Sequence, residues 1–125
     1  MINNERAPRD ILVRTKEFSL RIIRLYGSLP RTTEAQVLGK QVLRSGTSVG
    51  AQLREGKRSR SDAELISKNE GALQELEETI YWLELLGESG IVDAEKLSDL
   101  IDEADQLTAI LVTSVKNIKS RRSKL

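Results

Sequence analysis

Apolar side chains recur along this chain at alternating intervals of three and four residues, the spacing that places them on one face of an α-helix. The pattern predicts four helices, at about residues 9–27, 32–58, 62–88 and 93–120. No stretch alternates apolar and polar residues as a β-strand does. Because short links favour antiparallel neighbours, we predict an all-α fold, an antiparallel up-down-up-down four-helix bundle that forms one domain over residues 1–125.

Each predicted helix carries one apolar seam that would form the core of the bundle. The first two seams are Ile11, Thr15, Phe18, Ile22, Leu25 and Leu29, then Ala35, Leu38, Val42, Gly46, Val49 and Leu53. The last two are Ile66, Asn69, Leu73, Leu76, Ile80 and Leu83, then Leu97, Leu100, Ala104, Leu107, Leu111, Ser114 and Ile118.

Further apolar residues fall outside these seams. They fit either a wider core with scattered exposed groups or a second buried face, because a helix that is apolar on two sides often packs against another subunit. We favour the second interpretation and predict a homo-oligomer. The residues are Leu12, Ile23, Tyr26, Tyr81, Trp82, Leu85, Leu86, Ile101, Val112 and Val115.

Residues that favour helix ends lie near the expected boundaries. Pro8 is expected at the start of the first helix, since proline fits a first turn. A capping box is expected if Ser61 is the N-cap of the third helix, because Glu64 then lies at the reciprocal position. The candidate N-caps are Thr32 or Thr33 for the second helix and Ser61 or Asp62 for the third.

Gly46 and Gly50 lie four residues apart and therefore share one face of the second helix. A glycine in a helix interior costs roughly 1 kcal/mol relative to alanine, which close packing against a neighbouring helix can offset. We expect a tight helix crossing at both glycines. A ligand-binding notch is the alternative, but the chain lacks the glycine, lysine and hydroxyl spacing of a phosphate-binding loop.

Charge is divided unevenly along the chain although the net charge is only +1. Residues 1–60 contain 13 basic and 5 acidic side chains, and residues 61–115 contain 2 and 14. The last ten residues, 116–125, contain 5 basic side chains and no acidic one. We therefore expect separate basic and acidic surfaces, which could steer a polyanion or attract copies of the chain to one another.

Composition excludes most familiar catalytic machinery. The chain has no cysteine and no histidine, so thiolate nucleophiles, Ser-His-Asp triads and zinc sites built from these residues are absent. We predict no enzyme, no catalytic site, no cofactor and no metal site. No window is apolar enough to span a membrane, and we expect a cytoplasmic protein without a membrane partner. Six carboxylates on the third and fourth helices invite comparison with the ligands of di-iron bundles, but those sites also need histidines, which this chain lacks. The six are Glu75, Glu78, Glu84, Asp102, Glu103 and Asp105.

The candidate binding site is the basic group Arg54, Lys57, Arg58 and Arg60 at the end of the second helix. These side chains could neutralise phosphates of a nucleic acid without reading its sequence. In the alternative they are solvated or pair with the acidic third helix. A second basic patch lies in the tail, at Lys116, Lys119, Arg121, Arg122 and Lys124.

Two segments, SGTSVGAQLREGKRSRSDAE and ALQELEETIYWLELL, strongly resemble the four-helix-bundle family of 23S ribosomal-RNA intervening-sequence proteins. The resemblance covers nearly the whole chain. It implies a bacterial protein that assembles as a ring-shaped homopentamer; the family is named after the location of its genes, and its biochemical role is undefined. A related branch is the accessory proteins of diversity-generating retroelements, which bind nucleic acid and a reverse transcriptase and are strongly basic, whereas this chain is nearly neutral.

One departure from the family pattern concerns Asn69, Glu70 and Gly71, which are more polar than the usual apolar stretch and are expected to loosen the middle of the third helix. Taken together, the sequence predicts a non-enzymatic homo-oligomer that offers a basic surface to structured RNA or DNA. The alternative is a protein-interaction scaffold with an unidentified protein partner and no nucleic-acid binding.

Overall fold

The computed structural model describes the backbone of residues 2–123 and the side chains of residues 11–123. It consists of four α-helices: α1 (Ile2–Ser28), α2 (Thr33–Gly56), α3 (Asp62–Glu88) and α4 (Ala94–Ser123). No strand occurs within residues 2–123. The predicted all-α fold with four helices is therefore confirmed for this part of the chain.

Each helix packs against the next one in the chain, and α4 returns to contact α1 over a shorter stretch. The contacts fix the directions of the helices. On α2, Gly39 lies beside Leu29 and Gly46 beside Ile22, so residue numbers rise on α2 as they fall on α1. α3 and α4 are likewise antiparallel, because Glu70 pairs with Lys119 whereas Asp62, earlier on α3, pairs with Arg121, which is later on α4.

Caps define two helix starts, as predicted. The Thr32 hydroxyl accepts a hydrogen bond from the Ala35 N–H at 3.3 Å and caps α2. Ser61 caps α3, because its hydroxyl accepts a hydrogen bond from the Glu64 N–H at 3.1 Å. The Glu64 carboxylate accepts from the Arg60 N–H, one residue before the position that the expected capping box uses. The predicted start of the first helix is wrong, because α1 begins at Ile2 and Pro8 lies inside it. Its ring fixes φ near the helical value, but its nitrogen carries no hydrogen for the bond to the carbonyl four residues earlier.

The core is a continuous layer between the four helices, built mostly from the predicted seams. Two residues expected on a second face are instead buried: Leu86 lies in this core, and Val115 packs with Ile66 and Ile118 in a smaller cluster between α3 and α4. The α3 and α4 faces are thus wider than one seam, as expected when a helix packs against two neighbours. Apolar side chains that do remain exposed are Val13, Leu20, Ile23, Val37, Tyr81 and Val112.

The small residues of α2 do not pack equally closely against α1. A Cβ atom added at Gly46 would lie 2.8 Å from the Ile22 side chain, a separation too short for two carbons. A Cβ atom at Gly50 would lie 3.5 Å from the Thr15 carbonyl oxygen, an ordinary contact. The expected close approach to α1 is therefore found at both glycines, but only at Gly46 is the neighbouring side chain too close to leave room for a methyl group.

The polar stretch in α3 does not interrupt the helix. α3 is continuous through Asn69, Glu70 and Gly71, and Asn69 is buried. The Gln52 side chain of α2 lies against Gly71, 3.0 Å from where a Cβ atom would be. The stretch therefore stays helical, with Asn69 and Gly71 packed beside α2 and Glu70 paired with Lys119 of α4.

Candidate nucleic-acid interface

The four basic residues predicted as a binding site lie together at one end of the bundle. Arg54 is in the last turn of α2, Lys57 follows the helix directly, and Arg58 and Arg60 lie in the link of residues 57–61 that leads into α3. All four side chains are exposed. We call these four residues the basic end cluster.

Hydrogen bonds hold the backbone of the link in one conformation. The N–H groups of Lys57, Arg58 and Ser59 donate to carbonyls in the last turn of α2, at 3.0 to 3.1 Å. The Arg60 N–H donates to the Glu64 carboxylate at 2.9 Å, and the Glu64 N–H donates to the Ser61 hydroxyl at 3.1 Å. The link therefore presents its basic side chains from an ordered backbone, which lowers the entropy lost on binding.

No side chain of the basic end cluster forms an ion pair with another described side chain. Glu55, which neighbours Arg54 in the chain, pairs with Lys68 of α3 at 2.7 Å instead. The alternative in which the cluster pairs with the acidic third helix is thus not what the structure shows. The four positive charges remain available to an external anion.

Several other cations of the bundle, by contrast, form ion pairs with carboxylates of a neighbouring helix. Arg44 of α2 contacts Glu75 at 3.4 Å and also contacts Glu78 of α3. Arg14 of α1 forms two hydrogen bonds to Glu103 of α4, the shorter at 2.7 Å. In the same manner Lys119 binds Glu70 at 3.0 Å and Arg121 binds Asp62 at 2.7 Å.

The tail patch is consequently only partly free. Hydrogen bonding from the Arg121 guanidinium, helped by the nearby charge of Arg122, holds the pKa of Asp62 below its usual value, and Asp62 in turn raises the pKa of Arg121. Arg121 and Lys119 are therefore neutralised locally. Lys116 and Arg122 are exposed, whereas Lys124 lies outside the described residues.

The predicted separation of charge follows from the order of the helices. The basic first half of the chain forms α1 and α2, which are neighbours, and the acidic segment forms α3 and α4, which are also neighbours. The bundle thus has one basic and one acidic side. Among the described residues, no three metal-ligating side chains lie together, and the acids Glu75, Glu78 and Glu103 contact arginines.

Sequence reasoning missed Lys16. An open groove of about 170 Å³ lies between α1 and α2, and Arg54 lines it together with Leu12, Lys16, Ser19, Gly50 and Ala51. A lone lysine on α1 gives no signal by itself, and only the packing of α1 on α2 brings it to the same groove as Arg54.

No helix within residues 2–123 has both the length and the apolar character needed to cross a membrane.

Comparisons with known proteins agree on the family. The sequence model of the family described as 23S rRNA-intervening sequence protein matches residues 9–113. A crystal structure of a protein with unknown function from the S23 ribosomal protein family of Bacteroides thetaiotaomicron VPI-5482 is 34% identical, with a TM-score of 0.83, and the match covers 88% of this chain and 98% of that one. No curated protein matches the chain. The chain belongs to the family of 23S rRNA-intervening sequence proteins.

Proposed function

We propose that this protein is a non-enzymatic, homo-oligomeric helical bundle that binds structured nucleic acid, RNA or DNA, through the basic end cluster. The observation that carries the proposal is that Arg54, Lys57, Arg58 and Arg60 are exposed and free of ion pairs within the described part of the chain. By contrast, four cations at the interfaces of α3 each form an ion pair with a carboxylate: Arg44, Lys68, Lys119 and Arg121.

The chemistry of the cluster favours phosphates over bases. Arginine and lysine neutralise phosphate charge whatever the sequence of the nucleic acid, and arginine can donate two parallel hydrogen bonds to one phosphate. Base stacking needs exposed aromatic rings. Tyr81 and Trp82, which pack edge to face with a centroid distance of 5.1 Å, lie in α3 about 28 Å along the helix axis from its start beside the cluster.

The family name does not supply a ligand, because it describes where the genes lie, in intervening sequences of 23S rRNA genes. The solved relative is described as a protein with unknown function from the S23 ribosomal protein family. A structured RNA hairpin and duplex DNA are therefore tested side by side. Since the retroelement accessory proteins are strongly basic and this chain is nearly neutral, we do not extend a reverse-transcriptase partner to it.

The proposal includes self-assembly into a ring-shaped homopentamer, as the resemblance implies. Val13, Leu20 and Ile23 are exposed and, at spacings of seven and three residues, lie on one side of α1, where a second subunit would remove apolar surface from water. Light scattering coupled to size-exclusion chromatography should give five times the mass of one 14.0 kDa chain. A monomeric mass at micromolar concentration would contradict the assembly.

Binding is tested by fluorescence anisotropy with a labelled RNA hairpin and a labelled DNA duplex. Replacing Lys57, Arg58 and Arg60 with Glu should weaken both complexes on the order of 100-fold at low salt while helical content and oligomer mass stay unchanged. Lys96→Glu, a charge reversal near the start of α4, is the control and should have little effect. Unchanged affinity in the triple variant would overturn the site, and capture of a protein partner that survives nuclease treatment, with no binding of nucleic acid, would favour the scaffold alternative.

A further inference from the structure

The groove between α1 and α2 extends the basic end cluster along the surface of the bundle. Its volume is about 170 Å³, and it is open to solvent. Lys16 of α1 and Arg54 of α2 supply the two charged groups that line it. Arg54 thus belongs both to the groove and to the basic end cluster, which makes the two surfaces continuous.

Neither cation of the groove is neutralised by a described side chain. Lys16 and Arg54 are exposed, and neither forms an ion pair. Glu55, the acid next to Arg54 in sequence, is held by Lys68 on the α3 side of α2. The groove therefore has a positive potential with no carboxylate among its lining residues.

The floor of the groove allows a ligand to approach the backbone of α2. Gly50 has no side chain and Ala51 has a single methyl group, and both line the groove with Ser19. A Cβ atom at Gly50 would be in ordinary van der Waals contact with Thr15 of α1, 3.5 Å from its carbonyl oxygen, so a small side chain fits here without displacing α1. Because the charged residues that line the groove, Lys16 and Arg54, are both cations, the groove suits a small anionic group.

We infer that this groove holds a backbone phosphate of the same nucleic acid that contacts the basic end cluster, with Lys16 and Arg54 as its ligands. The inference rests on the proposed function and adds Lys16 as a binding residue. Arg58 lies in the link that directly follows α2, four residues after Arg54, and one strand of duplex DNA carries a phosphate about every 3.4 Å of its axis. We therefore expect neighbouring phosphates of one strand to contact the link and the groove.

Substitutions at Gly50 test the groove with a matched pair of variants. Gly50→Asp places a carboxylate above the floor, and Gly50→Asn places a neutral group of nearly the same shape at the same position. Both variants need no displacement of α1 at the Cβ atom. In anisotropy titrations with the RNA hairpin at low salt, Gly50→Asp should bind about tenfold more weakly than Gly50→Asn, and the difference should shrink as salt rises.

Lys16→Gln tests the same site independently and should weaken binding of the RNA hairpin a few-fold. Lys96→Gln is the control and should bind like the wild type. The groove assignment is overturned if the two Gly50 variants bind equally and Lys16→Gln binds like the wild type. The proposed function still stands in that case, provided that the wild type binds and the variant with Lys57, Arg58 and Arg60 replaced by Glu does not. If the wild type binds no nucleic acid, both fall.

The source of the phosphate is tested separately with inorganic phosphate. Millimolar inorganic phosphate, added at constant ionic strength, should not displace the RNA, because one free anion contacts only two cations while the polymer contacts several. Displacement that depends on Lys16 would show that the groove is a site for a free anion and would overturn its assignment to a nucleic-acid backbone.

Discussion

Arg44 and Arg54 are both exposed arginines of α2, but their surroundings differ. Arg44 contacts Glu75 and Glu78 of α3, and its side chain is still 51% exposed. Arg54 faces the groove beside α1 and contacts no described carboxylate. Residue type and exposure therefore do not separate a paired cation from an unpaired one, whereas the neighbouring helix does.

The difference arises from how α2 meets its two neighbours. On one side lies α3, whose acidic residues are spaced to meet the cations of α2. On the other side lies α1, which is itself basic and packs tightly on α2 at Gly46, where a Cβ atom would be 2.8 Å from Ile22. At Gly50 a Cβ atom would meet Thr15 at an ordinary 3.5 Å, and the groove beside this residue is lined by Lys16 and Arg54, which pair with no described carboxylate.

The largest effect is expected where α1 and α2 touch. Gly46→Ala should destabilise the fold by about 1–3 kcal/mol, because the added methyl group overlaps the buried Ile22 side chain. Gly50→Ala should stabilise it by about 0.5–1 kcal/mol, because it gains helix propensity without a clash. Urea unfolding followed by circular dichroism measures both. Equal effects of the same sign in both variants would contradict the difference in packing between Gly46 and Gly50.

The two arginines themselves provide a matched comparison. Arg54→Gln should weaken RNA binding about fivefold to tenfold and leave the unfolding free energy unchanged, because only an external anion uses its charge. Arg44→Gln should leave binding unchanged and lower the unfolding free energy by about 0.5 kcal/mol, a value kept small because the pair is half exposed. Anisotropy and urea unfolding on both variants check this, and reversed effects would show that the roles are assigned wrongly.

Removing a carboxylate should convert a paired cation into a free one. Asp62→Asn takes away the partner of Arg121 near the basic end cluster, so RNA affinity should rise about twofold to fivefold at low salt. Glu103→Gln serves as the control, because it removes one negative charge from the contact between α1 and α4. A gain of the same size in both variants would mean that net charge alone sets the affinity.

The smallest effect concerns the pH dependence of the Asp62–Arg121 pair. Because the pKa of Asp62 is lowered in the folded chain, its charged form stabilises the fold above its ordinary value near 3.8. This contribution disappears as the pH falls through the lowered pKa. The difference in melting temperature between wild type and Asp62→Asn should thus be constant from pH 7 to about 5 and shrink as the pH falls below 3.8 and through the lowered pKa of Asp62. A difference that grows in acid would contradict the assignment.

Much of the fold could be predicted because its signals are local. The three- and four-residue spacing identified the helices and most of the core, and the Ser61 and Glu64 pair marked the start of α3. Leu86 and Val115 were missed because a single seam per helix is narrower than the face that two neighbouring helices cover. Pro8 misled because proline is compatible with helical φ beyond the first turn.

The candidate site was less predictable because it depends on partners that are distant in sequence. The residues of the basic end cluster were identified from their clustering along the chain. Their lack of ion pairs with described side chains follows from the register of α2 against α3, in which Glu55 pairs with Lys68. The same holds for Lys16, whose place beside Arg54 depends on the packing of α1 against α2. Periodicity identifies faces of helices and does not fix the register between them.

The most direct test of the account is the salt dependence of RNA-hairpin and duplex-DNA binding by the wild-type protein and by the Lys57, Arg58, Arg60 to Glu variant. For duplex DNA, each neutralised phosphate contributes about −0.9 to the slope of log K against log salt concentration, so contacts by the basic end cluster predict a slope of roughly −4 or steeper. The triple variant should lose about three of these units. Binding with a slope near zero, or the same slope in both proteins, would contradict a phosphate-binding surface at this end of the bundle.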